Sequence, residues 1–263
     1  MHLTSLVFRQ VFKMNRDDYD VTRRFEDLSN QADRKGIVLF SDFLNMNEIN
    51  LLLQCKDVLA TRVTLFGGYE GAERQMVAFQ PDALYYNWEF PISCIQYRPV
   101  SEKFAQDLSH RDVLGAIMHL GIERSLIGDI LFQKKKIFVF CHQKISSYLL
   151  EELSQIKRTQ VIGQMHMAQE VSVSLEFEDA RGNISSNRLD AFVSHVCRLS
   201  RSKATEYILA ENVFIDGKMI SNYSAKLLEG NIISLRGYGK IRVTEIGGMT
   251  KKGRIWLSYQ WYK

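Results

Sequence analysis

"RLDAFVSHVCRLSRSKATEYILAENVFIDGK", Arg188 to Lys218, sets two short helical patterns end to end, with hydroxyls and bases opening the second and an Asp-Gly turn closing the unit. In the first pattern Leu189, Phe192, Val193 and Val196 fall at i, i+3, i+4 and i+7. That single apolar stripe predicts a helix docked on a core, with Asn187 as its cap. Leu199 and Ser200 break and recap the chain, and a second helix, Arg201 to about Ala210, turns Ala204, Ile208 and Tyr207 towards the first. Its first turn carries Arg201, Ser202 and Lys203. Backbone N–H groups and the positive end of the helix dipole meet hydroxyl and cationic side chains there, a geometry suited to a phosphate. Asn212 suits a left-handed exit from that helix. "VFIDGKMI" then alternates around Asp216-Gly217, the strongest two-residue hairpin signal, and Lys218 follows the turn directly.

Charge is spread unevenly along the 263 residues. Residues 181–263 hold 14 Lys/Arg against 6 Asp/Glu, a balance of +8, whereas residues 1–180 hold 20 against 24, a balance of −4. A segment of that size with that excess is the electrostatic footprint of a module that binds a polyanion, because neutralised phosphates release condensed counterions. The segment's tail extends the pattern. Arg236, Lys240 and Arg242 alternate along a strand candidate, and "TKKGRIWLSYQWY" reads as a basic turn, with Lys251, Lys252 and Arg254, leading into an aromatic strand. Trp256, Tyr259, Trp261 and Tyr262 can stack on bases, but their mixed spacing favours core and edge packing.

A hydrophobic content of 46% excludes a disordered tail protein. Cys55, Cys94, Cys141 and Cys197 form no C-x-x-C pair and read as buried thiols of a reducing cytosol. The six histidines, His2, His110, His119, His142, His166 and His195, form no metal-ligand spacing and no triad with Ser and Asp, so neither a metal nor a cofactor is expected. No apolar run approaches the roughly 18 residues that span a bilayer, so no membrane insertion is expected. The opening "MHLTSLVFRQVFKM" lacks the order of a signal peptide and reads as a disordered leader over residues 1–15.

The first 180 residues read as mixed α/β. "DDYDVTRRFEDLSNQAD" is a polar helix, "MNEINLLLQC" a capped apolar one, and "RVTLFGGYEGAERQMVAF" a strand, a glycine-rich turn and a strand. "FPISCIQYRPV" is a further strand. Ser109 with Asp112 caps "HRDVLGAIMHLG", whose Val113, Leu114, Ile117 and Met118 form the buried stripe before Gly121 ends it. A strand pair around Lys134, Lys135 and Lys136, a helix near Ser146 to Leu153, and strands in "QVIGQ" and "VSVSLEFED" complete the half.

The elements "RLDAFV", "LSRSKATEYI", "ENVFIDGK" and "LLEGNIISLRGYGK", covering Arg188 to Lys240, resemble the S4-type RNA-binding domain. In such domains two helices and the neighbouring hairpin clasp structured RNA by shape and backbone. The resemblance places Arg188, Arg201, Ser202, Lys203, Thr205 and Lys218 at the RNA face, and Arg236 and Lys240 extend it. Arg188 has a plain alternative as an ion-pair partner of Asp190, and Thr205 as a helix-surface residue. With "LFGGYEGAERQ" and "SHRDVLGAIMHLGIERSLIGDILF", the chain from about residue 16 resembles the YlmH family. That family is non-enzymatic and is encoded among cell-division genes, and related S4-domain proteins assist large ribosomal subunits carrying stalled nascent chains. Arg111, Arg124 and the turn at Lys134, Lys135 and Lys136 become secondary RNA contacts on this reading. Their alternatives are helix-surface cations beside Asp112, Glu123 or Asp129, and a solubilising hairpin tip.

S4-type domains also accompany pseudouridine synthases, tyrosyl-tRNA synthetases and rRNA methyltransferases. The single "RLD" lies inside the first helix pattern, "HLGI" at His119 and "KMISN" at Lys218 are partial and misplaced nucleotide motifs, and "FGGYEGAE" lacks the spacing of a cofactor loop. Gly67, Gly68 and Gly71 therefore read as turn formers. The expected fold is mixed α+β: two small α/β units at residues 16–80 and 81–180, the latter RNA-binding, and at 181–263 an S4-type domain of two helices and a small antiparallel sheet. The expected function is non-catalytic: a cytoplasmic monomer that binds structured RNA, rRNA or tRNA, on the large ribosomal subunit, with a link to cell division. The alternatives are an RNA-modifying enzyme with an unrecognised catalytic half and a cell-division protein adaptor.

Overall fold

The computed structural model describes residues 16–84, 86–101, 103, 105–133, 135–166, 177–250 and 253–262. The expected leader, Lys134, Lys251 and Lys252 lie outside them, as does most of "VSVSLEFED". The described residues form a mixed α+β chain in two compact units, residues 1–173 and 174–263.

The first unit opens with α1 (Arg16–Lys35), which places Asp17 and Asp18 in its first turn and Arg34 and Lys35 in its last, complementing the helix dipole. After β1 (Leu39–Phe40), α2 (Met46–Cys55) starts on a reciprocal cap: Asn45 Oδ1 accepts from Glu48 N at 3.0 Å, and Glu48 Oε2 from Asn45 N at 2.8 Å. Strands β2 (Arg62–Phe66) and β3 (Met76–Gln80) complete an antiparallel sheet of order β1-β3-β2, and Phe25, Leu52 and Phe79 join the helices to it.

The rest of the unit runs β4 (Ile92–Pro99), α3 (His110–His119), β5 (Ile127–Gln133), β6 (Lys136–His142), α4 (Gln143–Glu152), β7 (Gln155–Ile156) and β8 (Thr159–His166), in a sheet of order β5-β6-β4-β8-β7. Alternation along β6 sends Ile137, Val139 and Cys141 to the helix-packed core and Phe138 and Phe140 to the opposite face, where Tyr69 and Ala72 cover them. This sandwiching is why "KIFVFC" reads as one apolar run.

The glycine-rich turn is the joint between the two sheets of this unit. Gly68 adopts φ +100°, and a Cβ there would come within 2.5 Å of the Phe140 ring. The buried Asp129 carboxylate accepts from the Tyr69 hydroxyl at 2.7 Å and from the N–H groups of Glu73 and Arg74 at 2.7 and 3.2 Å. Burial raises its pKa, an effect those hydrogen bonds oppose. Arg74 reaches across to the carbonyls of Ile127 at 2.9 Å and Phe43 at 2.8 Å. "FGGYEGAE" is thus a docking loop between sheets.

The second unit contains β9 (Phe177–Ile184), α5 (Leu189–Val196), α6 (Arg201–Leu209), β10 (Val213–Ile215), β11 (Lys218–Met219), β12 (Ile232–Leu235), β13 (Gly239–Met249) and β14 (Ile255–Tyr262). Its antiparallel sheet has the order β11-β10-β12-β13-β14-β9, and α5 and α6 cover one face through Phe192, Val193, Ala204 and Ile208. The sheet is larger than expected because β9 pairs with β14 from Phe177↔Tyr262 to Ile184↔Ile255, across the sequence boundary at 180/181.

Three local expectations shift. Asn187 does not cap α5: its side chain grips the backbone of Leu227 in both directions at 3.1 Å, while the N–H groups of Leu189 and Asp190 go to the carbonyls of Ala225 and Tyr223. The returning 223–227 segment takes the place of a cap. The left-handed exit from α6 falls at Glu211, φ 60°, rather than Asn212, because the helix ends one residue early. Arg236 lies in the β12–β13 turn rather than on a strand. The Asp216-Gly217 turn forms with φ values of 50° and 79°. Its Asp216 carboxylate also accepts from Asn231 Nδ2 and Ile232 N, both at 2.7 Å, so it clasps β12 as well as turning the chain.

Asp129→Asn should lower unfolding free energy by about 1–3 kcal/mol, since an amide nitrogen must then face one of three buried donors. Denaturant titration read at constant m-value measures it.

Candidate nucleic-acid interface

Asp190 joins the two helices of the second unit. It sits in the first turn of α5 and is 4% exposed. Arg188 meets it with Nε and Nη2, each at 3.2 Å, and Arg201, from the start of α6, meets it with Nη2 at 2.7 Å. Arg201 Nη1 also donates to Ser185 Oγ at 2.7 Å, and the Arg188 guanidinium lies 5.7 Å from the centre of the Tyr223 ring. The side chains of Arg188 and Arg201 remain 39% and 43% exposed. Each guanidinium carries five N–H donors, so both keep donors for an oxygen-rich ligand after these bonds are made. The ion pair read as Arg188's plain alternative is therefore present, and it is also what holds two guanidiniums side by side.

The other predicted residues divide into groups. Ser200 caps α6, accepting from Lys203 N at 3.3 Å, and Ser202 and Lys203 are exposed on the first turn beside Arg201. The Thr205 hydroxyl donates to the Arg201 carbonyl at 3.0 Å, so its hydrogen stays within the helix. Lys218 stands on the edge strand β11. Arg236 and Lys240 lie on the sheet face away from the helices: Arg236 over Phe214 at 5.1 Å and Lys240 over Tyr262 at 5.6 Å. His195 is half-buried. Its Nε2 lies 3.4 Å from the Tyr259 hydroxyl, and burial, aided by the charge of Arg254, lowers its pKa.

In the first unit, topology collects cations that sequence distance hides. The β4–α3 connection, the β5–β6 hairpin and the β7–β8 turn all fall at one end of the five-stranded sheet. This brings Arg111, Lys135 and Lys136 to the same end as Arg98, Lys157 and Arg158, which sequence reasoning missed. Lys136 follows directly on the Ile137↔Tyr97 pairing, and Arg98 is the residue after Tyr97, a signal available only once strand register is known. Arg111 and Lys157 line an open cleft of about 520 Å³ with His119. Lys157 Nζ lies 2.7 Å from Asp112, which is pulled down to about 2 first by that contact and then by Ser109. Arg124 is at the opposite end. Its Nη1 donates to the carbonyls of Ile127 at 2.5 Å and Gly128 at 3.3 Å, and burial lowers its pKa to about 10, so it belongs to the joint around Asp129.

Comparison with known proteins assigns the same segment. Residues 86–170, which span β4 to β8, match the family described as "Putative RNA-binding domain in YlmH". The chain is 26% identical over 222 residues to the ribosome-associated protein quality control protein P2 of Bacillus subtilis (strain 168), covering 84% of this chain and 86% of that relative. The structure of the cell division protein ylmH from Streptococcus pneumoniae matches with a TM-score of 0.48 at 22% identity, over 58% of this chain and 93% of that one. The likeness to the YlmH family read from the sequence stands on the family match and the relative. Among the described residues no helix is long and apolar enough to cross a membrane.

Asp190→Ala should cost about 1–2 kcal/mol, a modest loss because both freed guanidiniums can turn to solvent. It should also weaken binding of a structured RNA although it adds one net positive charge; tighter binding would show that charge alone matters. For Asp112, whose folded pKa of about 2 lies below its ordinary 3.8, the stabilisation is present above about pH 4 and is lost as pH falls towards 2. A carboxyl chemical-shift titration reads this directly, and Lys157→Gln should move the midpoint up.

Proposed function

We propose that this chain is a non-catalytic RNA-binding protein that works at the ribosome, with its second unit acting as an S4-type domain on structured RNA, rRNA or tRNA. The observation that carries the reading is the Asp190 clamp, which fixes Arg188 and Arg201 together at the start of α6, in the half of the chain whose balance is +8. Paired guanidiniums beside the Ser202 hydroxyl and the Lys203 ammonium suit the spaced phosphates of a folded RNA backbone. The cationic end of the first unit, with Arg98, Arg111, Lys135 and Lys136, supplies the secondary contact, and it lies in the segment matched to the RNA-binding family. Arg124 is withdrawn from that contact set because it lies at the opposite end of the sheet, where its Nη1 turns to the carbonyls of Ile127 and Gly128.

The relative's printed name supports the ribosome as the site of action, and the large subunit with stalled chains is the finer proposal. The protein acts as a cytoplasmic monomer, and its link to cell division is proposed as secondary to RNA binding. The cysteines fit a non-catalytic role. Burial lifts the thiols of Cys55 and Cys197 to about 11 and those of Cys94 and Cys141 to about 12, so none offers a thiolate near neutral pH.

Replacing Arg201 and Lys203 with Ala should weaken co-sedimentation with large ribosomal subunits by about 1–3 kcal/mol per lost charge-assisted contact at low salt. The slope of log affinity against log salt should flatten by roughly 1.5–2 units. An unchanged slope in a folded double variant would remove the α6 start from the interface.

A further inference from the structure

Alternation gives the second unit's sheet two faces of different chemistry. Along β14, Leu257, Tyr259 and Trp261 pack on the helix side, so Trp256, Ser258, Gln260 and Tyr262 point the other way. The same holds for Lys240 and Arg242 beside the core residues Ile241 and Val243, for Arg181 between Ala180 and Gly182, and for Phe214 between Val213 and Ile215. Both helices of the second unit, α5 and α6, pack on the other face.

Cations and rings are paired across it. Arg181 lies 5.9 Å from the centre of the Trp256 ring, Lys240 5.6 Å from Tyr262, and Arg236 5.1 Å from Phe214. Phe177 packs edge-on to Tyr262 with ring centres 5.0 Å apart. The Trp256 ring lies against Gly247, where a Cβ would come within 2.5 Å of it, so that side chain is seated rather than loose. Four basic residues, Arg181, Arg236, Lys240 and Arg242, share the face with two acids, Asp179 and Glu245, and Asp179 is occupied by Gln260 at 2.8 Å.

A face of this make-up fits one ligand class well. A protein partner would be met by four basic residues interleaved with the rings, whereas an unpaired nucleic-acid strand offers flat bases to the rings and phosphates to the cations. A duplex cannot use the rings, because its bases are already stacked. Trp256 and Tyr262 are six residues apart on one strand, roughly 20 Å at about 3.3 Å per residue, which spans several nucleotides. We propose that this face, opposite α5 and α6, is a second RNA surface, which takes single-stranded RNA by stacking bases on Trp256 and Tyr262 and holding phosphates with Arg181, Arg236 and Arg242. The inference extends the RNA-binding reading but uses none of the residues at the start of α6, so the two fail separately.

The test uses the full chain and two fluorescent probes, an oligouridine of about 12 nucleotides and a stable RNA hairpin. Trp256→Leu combined with Arg242→Gln should weaken oligouridine binding about tenfold or more and leave hairpin affinity within about twofold. Arg201→Ala with Lys203→Ala should do the reverse. Should Trp256→Leu fail to fold, Arg181→Gln with Arg242→Gln, both exposed positions, should still flatten the oligouridine salt slope by roughly 1.4 units. Unchanged oligouridine binding in either folded variant overturns the proposal, as does no oligouridine binding by the native chain. Displacement of oligouridine by polyglutamate with equal potency overturns it too, since the face would then be a charge sink without base recognition. Oligouridine binding without hairpin binding would sustain this surface and remove the one at α6.

Discussion

A carboxylate that is 4% exposed is costly to bury unless cations and donors surround it, and Asp190 meets that demand with two arginines from different helices. Everything proposed for the helix face depends on that arrangement. Two adjacent guanidiniums repel one another, and without an anion between them they would splay into solvent at separate angles. The carboxylate brings the starts of α5 and α6 together, fixes their relative rotation and leaves part of each guanidinium outward. The backbone around it is occupied as well, because the carbonyls of Tyr223 and Ala225 take the first N–H groups of α5. A ligand anion is therefore directed to the arginines and to α6.

The first unit solves the same problem with a different outcome. Asp129 is also buried, but its partners are a hydroxyl and two backbone N–H groups, and the nearby guanidiniums of Arg74 and Arg124 face carbonyls. That network consumes its donors internally and joins two sheets. The contrast separates a cluster that joins sheets from one fit to bind: both hold arginine beside a buried carboxylate, but Arg74 and Arg124 turn to backbone carbonyls, whereas the side chains of Arg188 and Arg201 stay 39% and 43% exposed.

Periodicity made the helices and most strands legible, because stripes such as Val113/Ile117 and Phe192/Val196 are local properties of the chain. The Asp216-Gly217 hairpin was legible for the same reason. What stayed hidden depends on partners far away in sequence. Asn187 looks like a cap until the segment 40 residues on arrives to be gripped. The cations Arg98 and Lys157 gain meaning only when strand order is known. The aromatic tail was ambiguous because both faces of β14 carry aromatic residues, so its period of two is not one of apolar against polar. Once β14 is paired, Tyr259 and Trp261 go to the core while Trp256 and Tyr262 go to the open face.

The regional charge of +8 thus resolves into cations of unequal value. Lys203 carries its charge on a long exposed stem and attracts any polyanion, an attraction that salt screens over about 10 Å at 0.1 M. Arg188 and Arg201 are different, because the carboxylate beneath them has already fixed their rotamers. Ordering a long side chain on binding costs about 0.5–1.5 kcal/mol, and here that cost is met during folding. The same carboxylate lowers the net charge of the cluster, so the clamp gives up long-range attraction for position. A shape-reading interface needs that exchange: phosphates at fixed spacing are distinguished by cations that cannot follow them, and a surface of mobile lysines would accept any spacing equally.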